Sequence, residues 1–406
     1  MAPLLLTPFS QIGTRLKVLG VTRLFRPTQN IHGEDLKVIP DTQYTEDLHY
    51  HAPSGLLFGA SEGDQKTRTT WFPPLAIWKD PESIGCGTIV VVDPKTMRAT
   101  RLTLHGFQGP YNTHGIDIYS PDDDPTSVYI AAVNHLPNPE YYNTPSRGKD
   151  SKVPKARTHI RSIWHPLIRT PNDVLFKSLS EIYVTNDHYY REGPMRLVEA
   201  LAWGKLAPWT DLIHLHIENP LSKVADDTAG VTGVVAIKGL QSNNGVGYGK
   251  TPSEIMIVRA LTGELLLAEV DKQHPPELTV NETIQLHSTL DNPSYFSDPY
   301  AAKTGRDASG YVLAGMAQAI AFPNGLDPAM VWLVQPAANA DSSVAVKASA
   351  KWTKKLIFQD DGHIIRTAST AVLVAIDPDT NDGKKQAHLY VTGPLGQGII
   401  MCKIDL

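Results

Sequence analysis

The sequence predicts an all-β protein, a six-bladed β-propeller preceded by a short N-terminal helical extension. Short runs of β-branched and aromatic residues recur along the chain between turn-forming clusters, and helical periodicity is sparse. Several predicted strand ends lie roughly 40–60 residues apart, which is the length of one blade in the longer propeller repeats. We therefore expect an extension over residues 1–40 and about six blades over residues 41–406.

The predicted strands are short apolar runs in which β-branched residues are frequent. They are Thr88–Val92, Val128–Val133, Glu181–Val184, Gly233–Ile237, Glu254–Val258, Gly310–Ala314, Ala371–Ile376 and Ala387–Val391. Clusters such as Asp93–Thr96 and Asp377–Gly383 separate them, and their Asp, Asn, Pro and Gly residues favour turns. Pro194–Lys205 is predicted to be a short helix, and the polar stretches Pro137–Arg157 and Ala337–Ala350 are predicted to be long loops.

The N-terminal extension contains a candidate amphipathic helix from Gln11 to Arg26. Its predicted apolar face has Ile12, Leu16, Leu19 and Leu24, with Arg15, Lys17, Arg23 and Arg26 outside that face. Such a helix either packs on the body of the protein or makes peripheral membrane contact through residues 11–26. The first residues lack a basic region, and their apolar run is too short for a signal peptide, which favours a cytoplasmic location over secretion.

Composition and missing motifs exclude several classes of function. The formal net charge is −5 and no long basic run occurs, so we expect no nucleic-acid partner. No Gly-x-Gly-x-x-Gly motif follows a predicted strand, which argues against a Rossmann domain. No Gly-x-Ser-x-Gly motif is present, so serine-based catalysis on an α/β-hydrolase fold is unsupported.

Acidic and amide residues lie next to predicted strands at several places in the chain. These are Glu46-Asp47, Asn172-Asp173, Asn186-Asp187-His188, Asn243-Asn244 and Asp291-Asn292. Ca²⁺ takes six to eight oxygen ligands, which such residues supply together with backbone carbonyls. Each pair by itself is a common turn former, so only the whole set predicts a cation site, with ligands that converge from separate blades.

Seven short motifs resemble, in order and near the same spacing, those of the paraoxonase (arylesterase) family. They are Thr45–His49 before Gly55–Phe58, Asn112–Ile116, Tyr129–His135, Pro171–Asp173, Val184–Tyr189, Asn243–Val246 and Leu290–Asn292. Thr-Asn-Asp-His-Tyr, at the end of the fifth motif, is the most specific. The resemblance extends from about residue 45 to the C-terminus and implies a six-bladed propeller with two calcium ions in its central tunnel.

The resemblance also implies roles for individual residues. A catalytic calcium would be held by Glu46, Asn172, Asn244, Asp291 and Asn292. A structural calcium would be held by Asp47, Asp173 and the backbone carbonyl of Ile116. His114 and His135 would form a catalytic pair, with Asn186, Asp187 and His188 supporting the metal shell. Glu34-Asp35 is an alternative first acidic motif, but the strand after Glu46-Asp47 resembles the family's first strand more closely.

The sequence departs from the family pattern at the C-terminus and in the expected pocket wall. Cys402 occupies the family's C-terminal cysteine position, but no cysteine occupies the N-terminal one, since Cys86 lies in a predicted strand. The disulfide that closes the family's propeller is therefore expected to be absent, and strand pairing is expected to close the fold. Met316-Ala317 and Gly396–Gly398 lack the histidines that the resemblance leads us to expect. Pro137–Arg157, directly after His135, is either a lid or a surface loop.

The expected function is calcium-dependent hydrolysis of a small-molecule lactone or of an aryl or carboxylic ester. The metal would polarise the carbonyl, and His114 would accept the proton of the attacking water while His135 orients it or relays the proton. Glu46 or Asp291 could serve as the base instead. The alternatives are a propeller-fold phosphotriesterase, an isomerase or lyase of a natural product, and a non-catalytic, calcium-stabilised binding propeller. The oligomeric state is left open.

Overall fold

A computed structural model gives the structure of the protein for most of the chain. It describes residues 12–25, 27–85, 87–107, 109–125, 127–136, 156–201, 207–322, 325–337 and 351–406. These residues form two compact units. The first unit comprises the described parts of residues 1–38, 247–269 and 280–406, and the second unit comprises those of 39–246 and 270–279.

Strands dominate the described residues, as the recurring β-branched runs predict. In chain order they are β1 (Glu34–Val38), β2 (Thr45–His51), β3 (Leu56–Glu62), β4 (Trp71–Phe72), β5 (Ile77–Trp78), β6 (Gly87–Asp93), β7 (Arg98–His105), β8 (Thr113–Tyr119), β9 (Tyr129–Asn134), β10 (Ala156–Thr158), β11 (Pro171–Ser178), β12 (Glu181–Asn186), β13 (Thr210–Ile217), β14 (Val231–Leu240), β15 (Asn243–Tyr248), β16 (Glu254–Arg259), β17 (Glu264–Val270), β18 (Leu278–Gln285), β19 (Pro293–Phe296), β20 (Gly310–Met316), β21 (Ala329–Pro336), β22 (Trp352–Asp360), β23 (Ala371–Ala375), β24 (Gln386–Val391) and β25 (Ile400–Asp405). Each predicted strand coincides with one of these, so the strand predictions are confirmed.

The helices in the described residues are few and short. They are α1 (12–18), α2 (Gln65–Thr70), α3 (Pro194–Leu201) and α4 (Ala301–Thr304), with 3₁₀ turns at Val21–Arg23, Pro73–Leu75, Pro81–Ser83, Ala260–Thr262, Ala319–Ala321 and Pro378–Thr380. The helix predicted at Pro194–Lys205 is confirmed as α3, and residues 202–206 lie outside the described residues. None of the described helices is long and apolar enough to cross a membrane.

The second unit contains two large sheets with a hairpin packed between them. One sheet has the order β10-β7-β6-β3-β2, the other has the order β11-β12-β13-β14, and among the described strands β8 pairs with β9 alone. Ile116 of β8 packs in one apolar cluster with Phe58 and Ile89, whereas Val133 of β9 packs in another with Val174 and Ile213. The hairpin therefore has a buried core on each side, which holds its strands against both neighbouring sheets.

The first unit contains a sheet in which the N-terminal strand joins the last strands of the chain. The order is β1-β25-β24-β23, and the antiparallel register pairs Glu34 with Lys403 and Lys37 with Met401. A second sheet, β19-β20-β21-β22, shares a buried apolar cluster with it. Cys402 in β25 is a free, buried cysteine, while Cys86 lies outside the described residues. Strand pairing joins the N-terminal strand to the C-terminal sheet, as propellers without a bridge require.

The fifth large sheet, β15-β16-β17-β18, also has its strands in sequential order, and β16 pairs antiparallel with β17. Successive four-stranded sheets completed by an N-terminal strand are typical of β-propellers. The all-β, propeller-type fold is therefore confirmed. A propeller of six full blades is not confirmed. The described residues form five sheets of four or five strands, the two-stranded β8–β9 hairpin and the short β4–β5 pair. After β9 the chain returns as β10, which pairs in parallel with β7 and adds no strand to the hairpin.

The predicted N-terminal amphipathic face is wrong. α1 covers only residues 12–18, and its buried side chains are Arg15 and Val18, whereas Leu16 and Leu24 are exposed. Gly20 follows the helix at φ +78°, and a Cβ there would lie 2.1 Å from the carbonyl oxygen of Ala317. The segment thus packs closely on another part of its own unit, and that packing selects the buried face. Membrane contact through residues 11–26 stays a prediction.

The long loops predicted from the sequence lie mostly outside the described residues, which omit 137–155 and 338–350. The predicted lid at Pro137–Arg157 is described only where residues 156–158 form β10. The domain boundary at residue 40 also stays a prediction.

Candidate active site

His114 and His135 form a buried pair at one end of the β8–β9 hairpin. Thr113 of β8 pairs with Asn134 of β9, the strand register shifts directly after this pair, and each of the two histidines is the next residue after one of its members. Nδ1 of His114 lies 2.9 Å from Nε2 of His135, and the two side chains are 3% and 8% exposed. The structure therefore brings together the two histidines that the sequence paired, at hydrogen-bond distance.

A set of backbone and side-chain hydrogen bonds holds the hairpin end around these rings. The backbone N–H of His135 donates to the Asn112 carbonyl, at 3.0 Å, and the Asn112 N–H donates to Oδ1 of Asn134, at 2.9 Å. The indole Nε1 of Trp71 donates to the His135 carbonyl, at 3.1 Å, while Nδ2 of Asn112 donates to the Trp71 carbonyl, at 2.9 Å. These bonds tie the segment around β4 to the start of β8 and to the end of β9, which meet at this end of the hairpin.

Phe72 and Arg68 are part of this site, although the sequence motifs did not indicate them. The Phe72 ring packs edge-on against the rings of His114 and His135, with centroid separations of 5.2 and 6.2 Å. The guanidinium carbon of Arg68 lies 4.3 Å from the centre of the same ring. The only local signal was the unusual run Trp-Phe-Pro-Pro at residues 71–74, which predicts a turn but no contact.

Burial and nearby cations keep both imidazoles neutral. Burial lowers the pKa of His114 well below its ordinary value, and the neighbouring His135 and Arg68 lower it further. Burial, together with the charges of Arg191, Arg68 and Arg196, lowers the pKa of His135 to about 3. A neutral imidazole has a free ring nitrogen, so His114 can accept a proton. Its Nε2 lies 3.8 Å from Oε1 of Glu46 on β2.

Two predicted carboxylate ligands, Asp47 and Asp173, are each held by two backbone N–H groups. Asp47 accepts from Leu48 at 2.7 Å and from Ile116 at 2.9 Å. Asp173 accepts from Val174 and from Val246, at 2.8 Å in both cases. Both carboxylates are 1% exposed, so their positions are set by strands β2, β8, β11 and β15.

The position directly after His114, which is Gly115, has no room for a side chain. A Cβ at this position would lie 2.4 Å from Oδ1 of Asp173 and 2.6 Å from the Asn172 carbonyl oxygen. Real Cβ atoms do not approach other atoms so closely, so strand β8 can pass residues 172–173 only where it carries no side chain. The histidine-glycine motif therefore combines an imidazole with the close approach of two strands.

Three buried carboxyl groups, those of Asp47, Asp117 and Asp173, lie near the ring of His49, and burial disfavours the ionised form of two of them. Burial raises the pKa of Asp173 well above its ordinary value, and the charge of Asp47 adds to this. Burial likewise raises the pKa of Asp117 to about 6. His49 lies 3.1 Å from Oδ2 of Asp47, and although burial opposes its protonation, Asp47, Asp117 and Asp173 raise its pKa to about 10. One imidazolium among three carboxylates leaves a region that favours a bound cation.

The amide oxygens of two predicted ligands have the chemistry that a hard cation requires. Oδ1 of Asn172 and Oδ1 of Asn244 are buried and have no hydrogen-bond partner among the described residues. A buried carbonyl oxygen without a partner is unfavourable, and a cation such as Ca²⁺ would satisfy it. Within the described ranges, no three or more His, Cys, Asp or Glu side chains are arranged to hold a metal ion. The calcium predictions therefore depend on mixed carboxylate, amide and carbonyl oxygens, and they stay proposals.

The remaining predicted residues differ in their surroundings. In the first unit, the backbone N–H of Asp291 donates to the Ala314 carbonyl at 3.0 Å, and Nδ2 of Asn292 donates to Oγ1 of Thr370 at 3.1 Å. Their role as ligands stays a prediction. Asp35, in the alternative acidic motif, forms an exposed ion pair with Lys403 at 2.8 Å, unlike the buried Glu46.

Asn186 holds the chain just before Asn172. Its Oδ1 accepts from the backbone N–H groups of Arg169 and Thr170, at 2.9 and 3.1 Å, and its Nδ2 donates to Oδ1 of Asp211 at 2.7 Å. Beside it, Asp187 is buried, and its carbonyl oxygen lies 2.6 Å from Nδ1 of His188. The supporting role of the Asn-Asp-His motif in a metal shell stays a prediction.

Comparisons with known proteins agree with the motifs. An arylesterase family model matches residues 81–299, which is more than half of the 406-residue chain. Serum paraoxonase/arylesterase 2 of Rattus norvegicus is 28% identical over 210 residues, covering 51% of this chain and 53% of the rat protein. The match thus spans about half the length of that relative. The bovine protein of the same name (Bos taurus) is 26% identical over 298 residues and covers 72% of each chain.

Among solved structures, a luciferin-regenerating enzyme has a TM-score of 0.45 and 11% identity, covering 92% of this chain and 96% of that one. This likeness is too distant to bear on the site. The matched residues include His114, His135, Asn172-Asp173, Asn243-Asn244 and Asp291-Asn292, whereas Glu46 and Asp47 precede them. The chain belongs to the arylesterase family.

Proposed function

We propose that this protein hydrolyses small-molecule lactones or aryl and carboxylic esters in a calcium-dependent reaction at His114 and His135. The observation that carries the proposal is the buried contact of 2.9 Å between Nδ1 of His114 and Nε2 of His135, with Glu46 3.8 Å from the other nitrogen of His114. The relatives are named paraoxonase and arylesterase, and both names describe hydrolases.

One combination of tautomers of the two imidazoles allows His114 to act as a general base. If Nδ1–H of His114 donates to Nε2 of His135, then Nε2 of His114 is free to take a proton from an attacking water. The carboxylate of Glu46, 3.8 Å away, would stabilise the imidazolium that forms. His135 would hold His114 in this tautomer, as the orienting member of a catalytic pair does.

The residues present fit two calcium ions. Glu46, Asn172 and Asn244 would hold a catalytic ion, and Asp47, Asp173 and the Ile116 carbonyl would hold a structural one. The unpartnered Oδ1 atoms of Asn172 and Asn244 support the first assignment, and the two buried, N–H-bonded carboxylates support the second. When bound, the catalytic ion would polarise the substrate carbonyl and stabilise the developing oxyanion.

We also propose that the β8–β9 hairpin is the sixth repeat of the propeller. It lies in sequence between two full sheets and has buried apolar clusters on both of its sides, as a blade does. An experimental structure that includes residues 137–155 would test this. Further strands added to the hairpin would complete the blade, whereas a hairpin that stays two-stranded would leave five.

The function is tested with a panel of lactones and aryl esters, assayed in calcium and after removal of calcium by a chelator. We expect hydrolysis in calcium, loss of activity in chelator and recovery when calcium is restored. His114→Gln, which is close in size but cannot act as a base, is expected to lower kcat by about 100-fold or more. Hydrolysis that continues in chelator would overturn the calcium requirement, and absence of hydrolysis in calcium would favour a different reaction or a binding role.

A further inference from the structure

The connection between strands β3 and β6 packs against the histidine pair. It begins at Asp64, whose side chain caps α2 by accepting from the Lys66 N–H at 2.8 Å, and it continues through Trp71 and Phe72. Arg68 is on α2 and is 0% exposed, which is unusual for an arginine. No motif of the sequence assigned this residue a role.

Arg68 donates to backbone groups beside two site residues. Its Nη1 donates to the Thr113 carbonyl at 2.8 Å, and its Nη2 donates to the Tyr44 carbonyl at 3.2 Å. Thr113 directly precedes His114 on β8. Tyr44 lies immediately before β2, the strand that carries Glu46. A rigid guanidinium therefore joins the two strands that carry His114 and Glu46.

The same guanidinium also positions the aromatic side chain that contacts both imidazoles. It stacks over the Phe72 ring, at 4.3 Å from the ring centre, while the edge of that ring meets His114 and His135. Such a cation–π contact is favourable when it is buried. Arg68 thus acts on the pair through its side-chain neighbour as well as through the backbone.

The burial of Arg68 is not accounted for by a close carboxylate partner. Glu62 is also 0% exposed, and its charge acts on Arg68, but among the described residues no ion pair within 4.0 Å joins the two side chains. A buried arginine usually gains stability from bidentate contact with a carboxylate. Here the strongest contacts are with backbone carbonyls, which suits a group that sets the spacing between strands.

We propose that Arg68 is a positioning residue, which sets the separation of His114 from Glu46 and, through Phe72, the orientation of both imidazoles. This inference depends on the proposed hydrolysis at that pair. Displacement of a catalytic group by about 1 Å can lower the rate by about 100-fold, so the effect should fall on the chemical step.

The test compares Arg68→Met and Arg68→Lys. Met keeps much of the side-chain length but loses the charge and the hydrogen bonds to Thr113, Tyr44 and Asn112. We expect kcat to fall on the order of 100-fold with KM changed less than about threefold. Lys keeps the charge but cannot span both carbonyls with a planar group, so we expect a fall of about tenfold. Arg161→Met is the matched control, because Arg161 also donates to two backbone carbonyls, those of Ala229 and Glu218, and neither of these residues belongs to the proposed site. It should keep wild-type kcat.

A spectroscopic measurement separates this inference from the proposed function. With ¹⁵N-labelled histidine, the ring-nitrogen signals of the hydrogen-bonded pair should change in Arg68→Met and stay unchanged in Arg161→Met. If Arg68→Met does not fold, Phe72→Leu replaces it and should change the same signals and lower kcat. Unchanged signals and kcat in a folded Arg68→Met, or an equal loss in Arg161→Met, would overturn the inference. If the wild-type protein hydrolyses no compound of the panel, the proposed function fails, and the imidazole signals alone decide whether Arg68 orders the pair.

Discussion

At the scale of single residues, the close packing around Gly115 leaves no space for a side chain at this position. The Gly115→Ala variant would place a methyl group 2.4 Å from Oδ1 of Asp173 and 2.6 Å from the Asn172 carbonyl oxygen. Since backbone must move to make room, we expect a loss of about 1–3 kcal/mol in the free energy of unfolding, measured by urea denaturation. Gly13→Ala is the control, because no atom lies within 4 Å of a Cβ at Gly13, which lies in helix α1. It should be neutral or slightly stabilising, and an equal loss in both variants would contradict the close approach.

Glu62 gives a prediction for the pH dependence of stability. Burial raises its pKa from the ordinary 4.5 to about 7, although the charge of Arg68 opposes this. The folded state then binds a proton more tightly than the unfolded state, so stability should fall as pH rises from about 4.5 to about 7, by roughly 3 kcal/mol.

The measurement is the urea midpoint of the wild-type protein and of Glu62→Gln at pH 5 and pH 8. Glutamine does not titrate, so the difference between the two proteins isolates the carboxyl group. We expect Glu62→Gln to gain stability relative to wild type at pH 8, and a difference that is the same at both pH values would show that Glu62 titrates normally.

At the scale of elements, strand β1 joins the N-terminal part of its unit to the C-terminal sheet. Lys37 is exposed and pairs with Met401 of β25, so Lys37→Pro changes the backbone without removing a buried side chain. Proline lacks an N–H and fixes φ near −65°, and neither property suits a paired strand. We expect a loss of about 2–3 kcal/mol, seen as a lower melting temperature.

Lys37→Thr is the matched control for the strand, because it also removes the exposed lysine side chain but keeps the N–H and favours β structure. Its melting temperature should stay near that of the wild type. If Lys37→Pro melts at the same temperature as Lys37→Thr, the pairing of β1 with β25 contributes little to stability.

The strand predictions were confirmed, whereas the predicted apolar face of the N-terminal helix was wrong, because the two depend on different information. A run such as Thr88–Val92 favours β structure through its own side chains, whichever sheet it joins. The buried face of α1 depends instead on what packs against it. Arg15 and Val18 are buried because the helix packs on its unit by that side, and periodicity alone could not select it.

At the scale of the whole molecule, calcium should act on the folding equilibrium. An ion that binds only the folded state stabilises it, by about 2.7 kcal/mol when its concentration is 100 times its dissociation constant. The buried carboxylates of Asp47 and Asp173 and the unpartnered oxygen of Asn172 should bind calcium only when the strands that carry them are in place. We therefore expect the melting temperature to rise in calcium and to fall in chelator.

The variant Asp173→Asn separates specific binding from a general salt effect. It removes one carboxylate charge and keeps the size of the side chain, so the calcium-induced shift should shrink. Asp226→Asn, at an exposed turn, should keep the full shift. Equal melting temperatures for the wild type in calcium and in chelator would count against a structural ion.

The sequence by itself determined the all-β class, most of the strands, the order of the motifs and the family. Strand propensity and turn chemistry are properties of a few neighbouring residues, and a motif is a fixed spacing in the chain, so neither requires knowledge of distant contacts. The identities of His114 and His135 and of the predicted ligands were available in this way.

Only the tertiary structure decided which of these groups meet and what surrounds them. The contact of His114 with His135, the close approach of Gly115 to Asp173 and the hydrogen bonds of Arg68 to the Thr113 and Tyr44 carbonyls join residues that are more than 20 positions apart in sequence. Such contacts depend on strand register and on dense packing of the interior, where a shift of one residue or one methyl group changes every neighbour. A buried arginine that bonds to two backbone carbonyls has no local sequence signature, because its partners are defined only once the strands have come together.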